Sequence, residues 1–193
     1  MTEFLELPLV FDRQSAIAWA QAIMSDHHVV FLDTETTGLD GSSEIIEIAI
    51  VDRAGNVLVD SLVRPNEPIP PVATAIHGIS NQDVASAPPW DDLYPRIASI
   101  CCDRRVVVYN AEFDFRLVRQ SCVRVGLTPE ESRFHCAMQA FTLFHSRPVH
   151  RGRPRFLSLN FAANSLSLAI PEHRALSDAL ACLGVVQGMA YAT

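Results

Sequence analysis

The chain contains no lysine, and all 15 of its basic residues are arginine. Its 22 acidic residues give a formal net charge of −7, which argues against a protein that coats nucleic acid by charge alone. No apolar run approaches the roughly 18–20 residues that span a bilayer, so the sequence predicts no transmembrane helix. The N-terminal MTEFLELPLVFDRQ has acids where a signal peptide needs bases. We therefore expect a cytoplasmic protein.

Metal-binding cysteine pairs are also missing. The chain has five cysteines, an odd number, and no CxxC or CxxH spacing. This argues against a disulfide framework and against a zinc site. We expect five free thiols, most of them buried in the core.

The 193 residues are 49% hydrophobic, enough to build the core of a single domain. Charge is segregated along the chain. Residues 1–103 carry 16 acids and 4 arginines, whereas residues 104–155 carry 4 acids and 10 arginines. The densest basic patch includes four arginines: Arg147, Arg151, Arg153 and Arg155. It is compatible with a solvated loop and equally with a strip that contacts phosphates.

Hydrophobic periodicity predicts an α/β domain with a mixed central sheet of about five strands and helices packed on it. Apolar, β-branched runs predict strands over 28–33, 44–52, 56–63, 105–109 and 134–138. Helical spacing predicts helices over 12–25, 90–102, 111–125, 157–167 and 173–190, with a further helix that ends near 145. In such sheets the functional site tends to lie at the carboxyl ends of the central strands.

Two acids, Asp33 and Glu35, stand at the carboxyl end of the first predicted strand. Side chains alternate along a strand, so both project to the same side. Two neighbouring carboxylates at the edge of a core repel each other, and a divalent cation such as Mg²⁺ or Mn²⁺ resolves that conflict. A D-x-E pattern by itself is not specific for metal.

Two further acids belong to helices. Asp114 falls in the first turn of the helix after the fourth strand, where it faces the same crevice or simply complements the helix dipole. Asn110 precedes that helix as a cap or a phosphate contact. Asp178 lies in the last helix, and His173 precedes it by five residues. These two side chains converge if His173 occupies a turn before the helix; otherwise both are ordinary surface residues.

Three segments taken together resemble the DnaQ-like 3′–5′ exonucleases, specifically the DEDDh branch. They are FLDTETTGLD at 31–40, YNAEFD at 109–114 and HRALSD at 173–178, in the order that this family uses. The resemblance covers about residues 28–190 and implies an RNase H-like fold with helices on both faces of the sheet. We therefore expect a single exonuclease domain over 1–193, with 1–27 as a leading helical extension.

The resemblance also implies roles. Asp33, Glu35, Asp114 and Asp178 would hold two divalent cations, Mg²⁺ or Mn²⁺, and His173 would be the general base. The substrate would be the 3′ end of a single-stranded nucleic acid. The implied substrate contacts are Thr36, Thr37, Leu39, His77, Ile79 and Asn110, to which the loop arginines Arg151, Arg153 and Arg155 are added. Leu39 and Ile79 are also compatible with plain core positions.

Some functional questions stay open at this level. The given sequence stops after the last predicted helix, without the tail with which polymerase-associated members dock, and we therefore expect a stand-alone nuclease more than a polymerase subunit. We expect hydrolysis of single-stranded DNA from its 3′ end; the alternatives are an exoribonuclease and a non-catalytic nucleic-acid-binding module of the same fold. The helix that carries Trp19 either packs on the core or contributes to a homodimer.

Overall fold

The computed structural model of the protein describes residues 12–130, 133–145 and 156–192. Its sheet has five strands in the order β3-β2-β1-β4-β5, which confirms the predicted mixed sheet. Strand β1 is antiparallel to β2 and parallel to β4, while β3 pairs antiparallel with β2 and β5 pairs parallel with β4. The strands are β1 Val30–Thr36, β2 Ile45–Asp52, β3 Val57–Leu62, β4 Arg105–Val108 and β5 Arg133–Cys136.

Helices follow the parallel strands β4 and β5, and further helices precede β1, separate β3 from β4 and follow α6. They are α1 Arg13–Ser25, α2 Pro71–His77, α3 Asn81–Val84, α4 Trp90–Cys101, α5 Ala111–Arg124, α6 Ala137–Phe144, α7 Leu159–Ser165 and α8 Ala175–Ala190. Most boundaries lie within a few residues of those predicted. The first strand is longer than predicted, because it runs through both candidate acids to Thr36. The last helix begins two residues later than predicted, so His173 precedes it.

The core has a layer on each face of the sheet, as expected from alternation along the strands. On one face, Phe31 and Val107 pack with residues of α1, α6 and α8. On the other face, Leu32 and Val106 pack with residues of α4 and α5. Trp19 is half-buried against the first of these layers, so this side chain packs on the core.

None of the helices that the structure describes combines the length and apolarity needed to cross a bilayer. All five cysteines are free; Cys101, Cys122 and Cys182 are buried, Cys136 is half-buried and Cys102 is exposed. The thiols therefore belong mainly to the core, as predicted.

Candidate active site

The central strand β1 carries the first two acids of the site. Asp33 and Glu35 alternate with Thr34 and lie on the sheet face that α8 covers, because Phe31 in the same register packs in that layer. Both acids are half-buried. The strand therefore presents two carboxylates side by side at the margin of an apolar layer.

Asp114 reaches the same edge of the sheet from a different element. Strand β4 runs parallel to β1, so the helix that follows it, α5, begins beside the carboxyl end of β1. Asp114 lies in the first turn of α5 and is only 4% exposed. The Thr34 hydroxyl donates a hydrogen bond to Asp114 Oδ1 at 2.9 Å. This contact ties the start of α5 to β1.

The turn before α8 brings His173 to the acids. His173 has a backbone φ of 54°, in the left-handed region, and the helix starts at Ala175. Ligand atoms of Glu35, His173 and Asp178 all lie within 4.8 Å of one another. His173 and Asp178 therefore meet at one place, as the sequence predicted for a His173 that precedes the helix. His173 lies in the loop before α8, and Asp178 lies in the first helical turn of α8.

Burial and mutual repulsion set the charge state of these acids. Burial, with the charges of Asp178, Glu47 and Asp114 next in importance, raises the pKa of Glu35 to about 8. Burial also raises the pKa of Asp114 to about 7, although the Thr34 hydrogen bond opposes the change. The pKa values of Asp33 and Asp178 are raised mainly by burial as well. The metal-free site is therefore an environment that disfavours four negative charges.

The donor set fits a hard divalent cation. Asp178 Oδ1 is buried and has no hydrogen-bond partner among the described residues. A buried carboxylate oxygen without a partner is costly, and a bound cation would supply the missing contact. Carboxylate oxygens are the ligands that Mg²⁺ and Mn²⁺ prefer. The residues present thus fit the cations that the sequence implied.

Comparison with known proteins decides the family. The sequence model of the RNase_T family, whose description is "Exonuclease", matches residues 30–186. The chain belongs to this exonuclease family. It is accordingly a nuclease, a member of the hydrolases.

Two curated relatives illustrate the range of the family. The chain is 37% identical over 169 residues to "Uncharacterized exonuclease CP81" of Escherichia phage 186, covering 83% of this chain and 87% of the relative. It is 32% identical over 162 residues to the "DNA polymerase III subunit epsilon-like protein" of Rhodobacter capsulatus. That match covers 79% of this chain but only 22% of the longer relative.

Solved structures agree with the family and the fold. Exonuclease X, solved in complex with 5′ overhanging duplex DNA, is 29% identical with a TM-score of 0.61, covering 86% of this chain and 94% of that one. Escherichia coli exonuclease I, in complex with a dA16 oligonucleotide, has a TM-score of 0.68 at 19% identity, covering 81% of this chain and 39% of that one. The RNase H-like architecture expected from the sequence is therefore confirmed.

Thr36 and Thr37, two of the predicted substrate contacts, already make hydrogen bonds within the β1–β2 loop. The Thr37 N–H donates to Glu44 O at 2.9 Å, and the Thr37 hydroxyl accepts from the Glu44 N–H at the same distance. The Thr36 hydroxyl donates to Gly38 O at 2.7 Å. The Thr37 N–H is thus committed to the loop itself. Asn110 stands at the N-cap position of α5 but its side chain makes no capping bond, contrary to one of the two roles predicted.

The predicted apolar contacts separate into three environments. Leu39 is 80% exposed at the tip of the β1–β2 loop, which suits a contact with substrate. His77 is buried, its Nδ1 accepts a hydrogen bond from the Ile79 N–H at 3.0 Å, and burial lowers its pKa. Ile79 is only 3% exposed and packs among Ile46 and other buried residues, so its side chain is a core element and not a surface contact.

The remaining substrate candidates are the loop arginines. Arg151, Arg153 and Arg155 lie outside the residues that the structure describes. Their proposed contact with phosphates stays a prediction from the sequence.

The sequence did not single out one buried acid beside the site. Glu47 on β2 is 3% exposed, stands directly across from Glu35 in the sheet, and binds Arg174. A signal for it existed, since Glu47 interrupts the apolar run EIIEIAIVD. A lone acid in such a run requires a buried partner.

Proposed function

We propose that this protein is a divalent-metal-dependent 3′–5′ exonuclease that removes nucleotides from DNA 3′ ends. The convergence of Asp33, Glu35, Asp114 and Asp178 with His173 at one edge of the sheet carries this proposal. A module that only bound nucleic acid would gain nothing from keeping mutually repelling carboxylates together in a partly buried place.

The four acids would hold two cations, which supply Lewis-acid stabilisation of the phosphate and activation of water when bound. The charges of Asp114, Asp178 and Glu35 all act on Asp33, which is consistent with a shared place among the acids. We assign Asp33 to both cations. Glu35, Asp114 and Asp178 would complete the coordination from β1, α5 and α8.

His173 is assigned as the general base. Its side chain is exposed at the mouth of the site, next to Glu35 and Asp178. A histidine side chain accepts a proton near neutral pH, so His173 would take the proton from the attacking water. Its position is also compatible with metal ligation. Removal of the ring would lower metal affinity if His173 is a ligand, but not if it is only a general base.

The choice of DNA rests on relatives. Exonuclease X, at 29% identity, binds 5′ overhanging duplex DNA. "Exodeoxyribonuclease 10" of Escherichia coli is 41% identical over 90 residues, although the match covers only 45% of this chain. Cleavage of DNA and RNA uses the same acids, so the substrate must be decided by experiment.

A time course with 3′- and 5′-labelled oligonucleotides tests the proposal. Single-stranded DNA, 5′ overhanging duplex DNA and RNA of one sequence are incubated with Mg²⁺, Mn²⁺ or EDTA. We expect metal-dependent shortening of DNA from the 3′ end and no reaction in EDTA. Asp33→Ala should lose nearly all activity, because a ligand shared by both cations is removed. Shortening from the 5′ end, or normal activity of Asp33→Ala, would contradict the proposal.

His173→Ala separates the base from a ligand. As a base, its loss should lower kcat by about 10²-fold or more, while Mn²⁺ affinity measured by calorimetry is retained. A parallel loss of Mn²⁺ binding would identify His173 as a ligand instead.

A further inference from the structure

An ion pair between a buried carboxylate and a half-exposed guanidinium links strand β2 to the start of α8. Arg174 Nε donates a hydrogen bond to each carboxylate oxygen of Glu47, both at 3.1 Å. Arg174 Nη2 donates a further hydrogen bond to Glu47 Oε1 at 2.5 Å. The Glu47 side chain is 4% exposed and that of Arg174 is 49% exposed. A planar guanidinium that engages a carboxylate with two nitrogens fixes orientation as well as distance.

The same carboxylate also caps the helix. Arg174 is the N-cap residue of α8, but its own side chain makes no capping bond. Instead, Glu47 Oε2 accepts the Ala175 N–H at 2.9 Å. An acceptor at this place satisfies one of the free N–H groups of the first turn, and its negative charge suits the helix dipole. Glu47 therefore determines where α8 begins.

His173 depends on this attachment. In the described ranges, no hydrogen bond holds the His173 ring, and its backbone adopts the left-handed conformation that non-glycine residues seldom adopt. The residue that follows it is held to β2 by Glu47. The Glu47 contacts to Arg174 and Ala175 therefore help to hold the His173 turn, together with the interaction of the Asp178 carboxylate with the backbone of residues 172–174.

We propose that Glu47 and Arg174 are a positioning pair that holds the His173 turn against the four catalytic acids. This rests on the proposed function, because it assigns the pair to the general-base step. The pair does not touch the reacting atoms; it acts through His173.

Charge compensation is the second contribution of the pair. Glu47 lies directly opposite Glu35 in the β1–β2 register, so both side chains are on the same face. Arg174 engages the Glu47 carboxylate with two nitrogens, so its positive charge lies directly against the negative charge of Glu47. Arg174 therefore allows a fifth carboxylate to anchor the helix without adding its full charge to the metal site.

Arg174→Gln tests the pair, with Arg96→Gln as the matched control. Arg96 is another exposed arginine, and it donates to Leu58 O at 2.8 Å away from the site. We expect Arg174→Gln to lower kcat by about tenfold to 10²-fold, the loss that a misplacement of about 1 Å produces, with KM unchanged. Arg174→Lys keeps the charge without the planar fork and should fall between the two. Arg96→Gln should match the wild type.

A double variant identifies the route of the effect. If Arg174 acts through His173, then Arg174→Gln lowers kcat in the wild type but adds no further loss in a His173→Ala background. Equal losses in both backgrounds would overturn the proposal, since a general disturbance of the site would add to the loss of the base.

Hydrogen exchange distinguishes failure of the pair from failure of the proposed nuclease function. In metal-free protein, Arg174→Gln should speed exchange of the amides over 173–178 by about tenfold, and Arg96→Gln should not. Unchanged exchange would refute the positioning role even in an active enzyme. If the wild type cleaved none of the substrates, the nuclease proposal would be refuted. The hydrogen-exchange result would still show whether Glu47 and Arg174 hold the His173 turn.

Discussion

Replacing Glu35 with glutamine is expected to stabilise the metal-free protein at alkaline pH. Glu35 is half-buried between the other acids, and burial is the main reason that its pKa rises from 4.5 to about 8. Glutamine keeps nearly the same shape and removes the charge. The variant should therefore be less active, because it binds the cations less well, but more stable in EDTA. Such a trade of stability against activity is common where a functional site brings like charges together.

The magnitude follows from proton linkage. With its pKa raised on folding, the Glu35 carboxyl binds more protons in the folded than in the unfolded chain. The free energy of unfolding therefore falls as pH rises from 4.5 to about 8. At about 1.4 kcal/mol per pKa unit, this cost approaches about 4 kcal/mol at pH 8. The neighbouring acids share the cost, so we expect Glu35→Gln to recover about 2 kcal/mol, or about 4–8 °C in Tm.

Thermal unfolding followed by circular dichroism in EDTA is the assay, at pH 8 and at pH 4.5. The Tm advantage of Glu35→Gln should be present at pH 8 and nearly absent at pH 4.5, where the wild-type carboxyl is largely protonated in the folded protein. Glu112→Gln, which changes an exposed acid of α5, is the control and should shift Tm little at either pH. A Glu35→Gln protein no more stable than the wild type at pH 8 would refute the electrostatic reasoning.

The remaining predictions concern the contact of Leu39 with substrate and the hydrogen bond between Thr34 of β1 and Asp114 of α5. Leu39→Ala should raise KM for single-stranded DNA without changing Tm, because Leu39 is 80% exposed. The matched change Ile79→Ala should instead lower the free energy of unfolding by about 2–4 kcal/mol, because Ile79 is buried, and chemical denaturation measures it. Thr34→Val removes the hydrogen bond that lowers the pKa of Asp114, so Mn²⁺ affinity at pH 6 should weaken in calorimetry. Unchanged affinity would show that this contact is dispensable.

Much of the fold could be predicted because its signals are local. Apolar β-branched runs and helical spacing placed the strands and helices within a few residues, and the order of elements implied a mixed sheet. The acids at 33, 35, 114 and 178 were assigned together by the resemblance of three motifs, whereas their places in the predicted strands and helices alone left Asp114 and Asp178 open. Their convergence is a consequence of the parallel β1–β4 pair, which brings these ends to one edge.

Burial and long-range pairing were decided only by the tertiary structure. Leu39 and Ile79 are both aliphatic, and nothing local says that one projects into solvent while the other packs in a core. His173 meets Glu35 and Asp178 because its turn adopts a left-handed backbone.

The partner of Glu47 is the clearest example of a contact that only the tertiary structure decides. Glu47 and Arg174 are 127 residues apart in the chain. By itself, the sequence shows only an acid within an apolar run, which needs a partner if the strand is buried, since an unpaired charge in a core is too costly. Only the packing of α8 on the sheet decided which arginine supplies it, and this choice places the start of the helix, and with it the histidine, beside the acids.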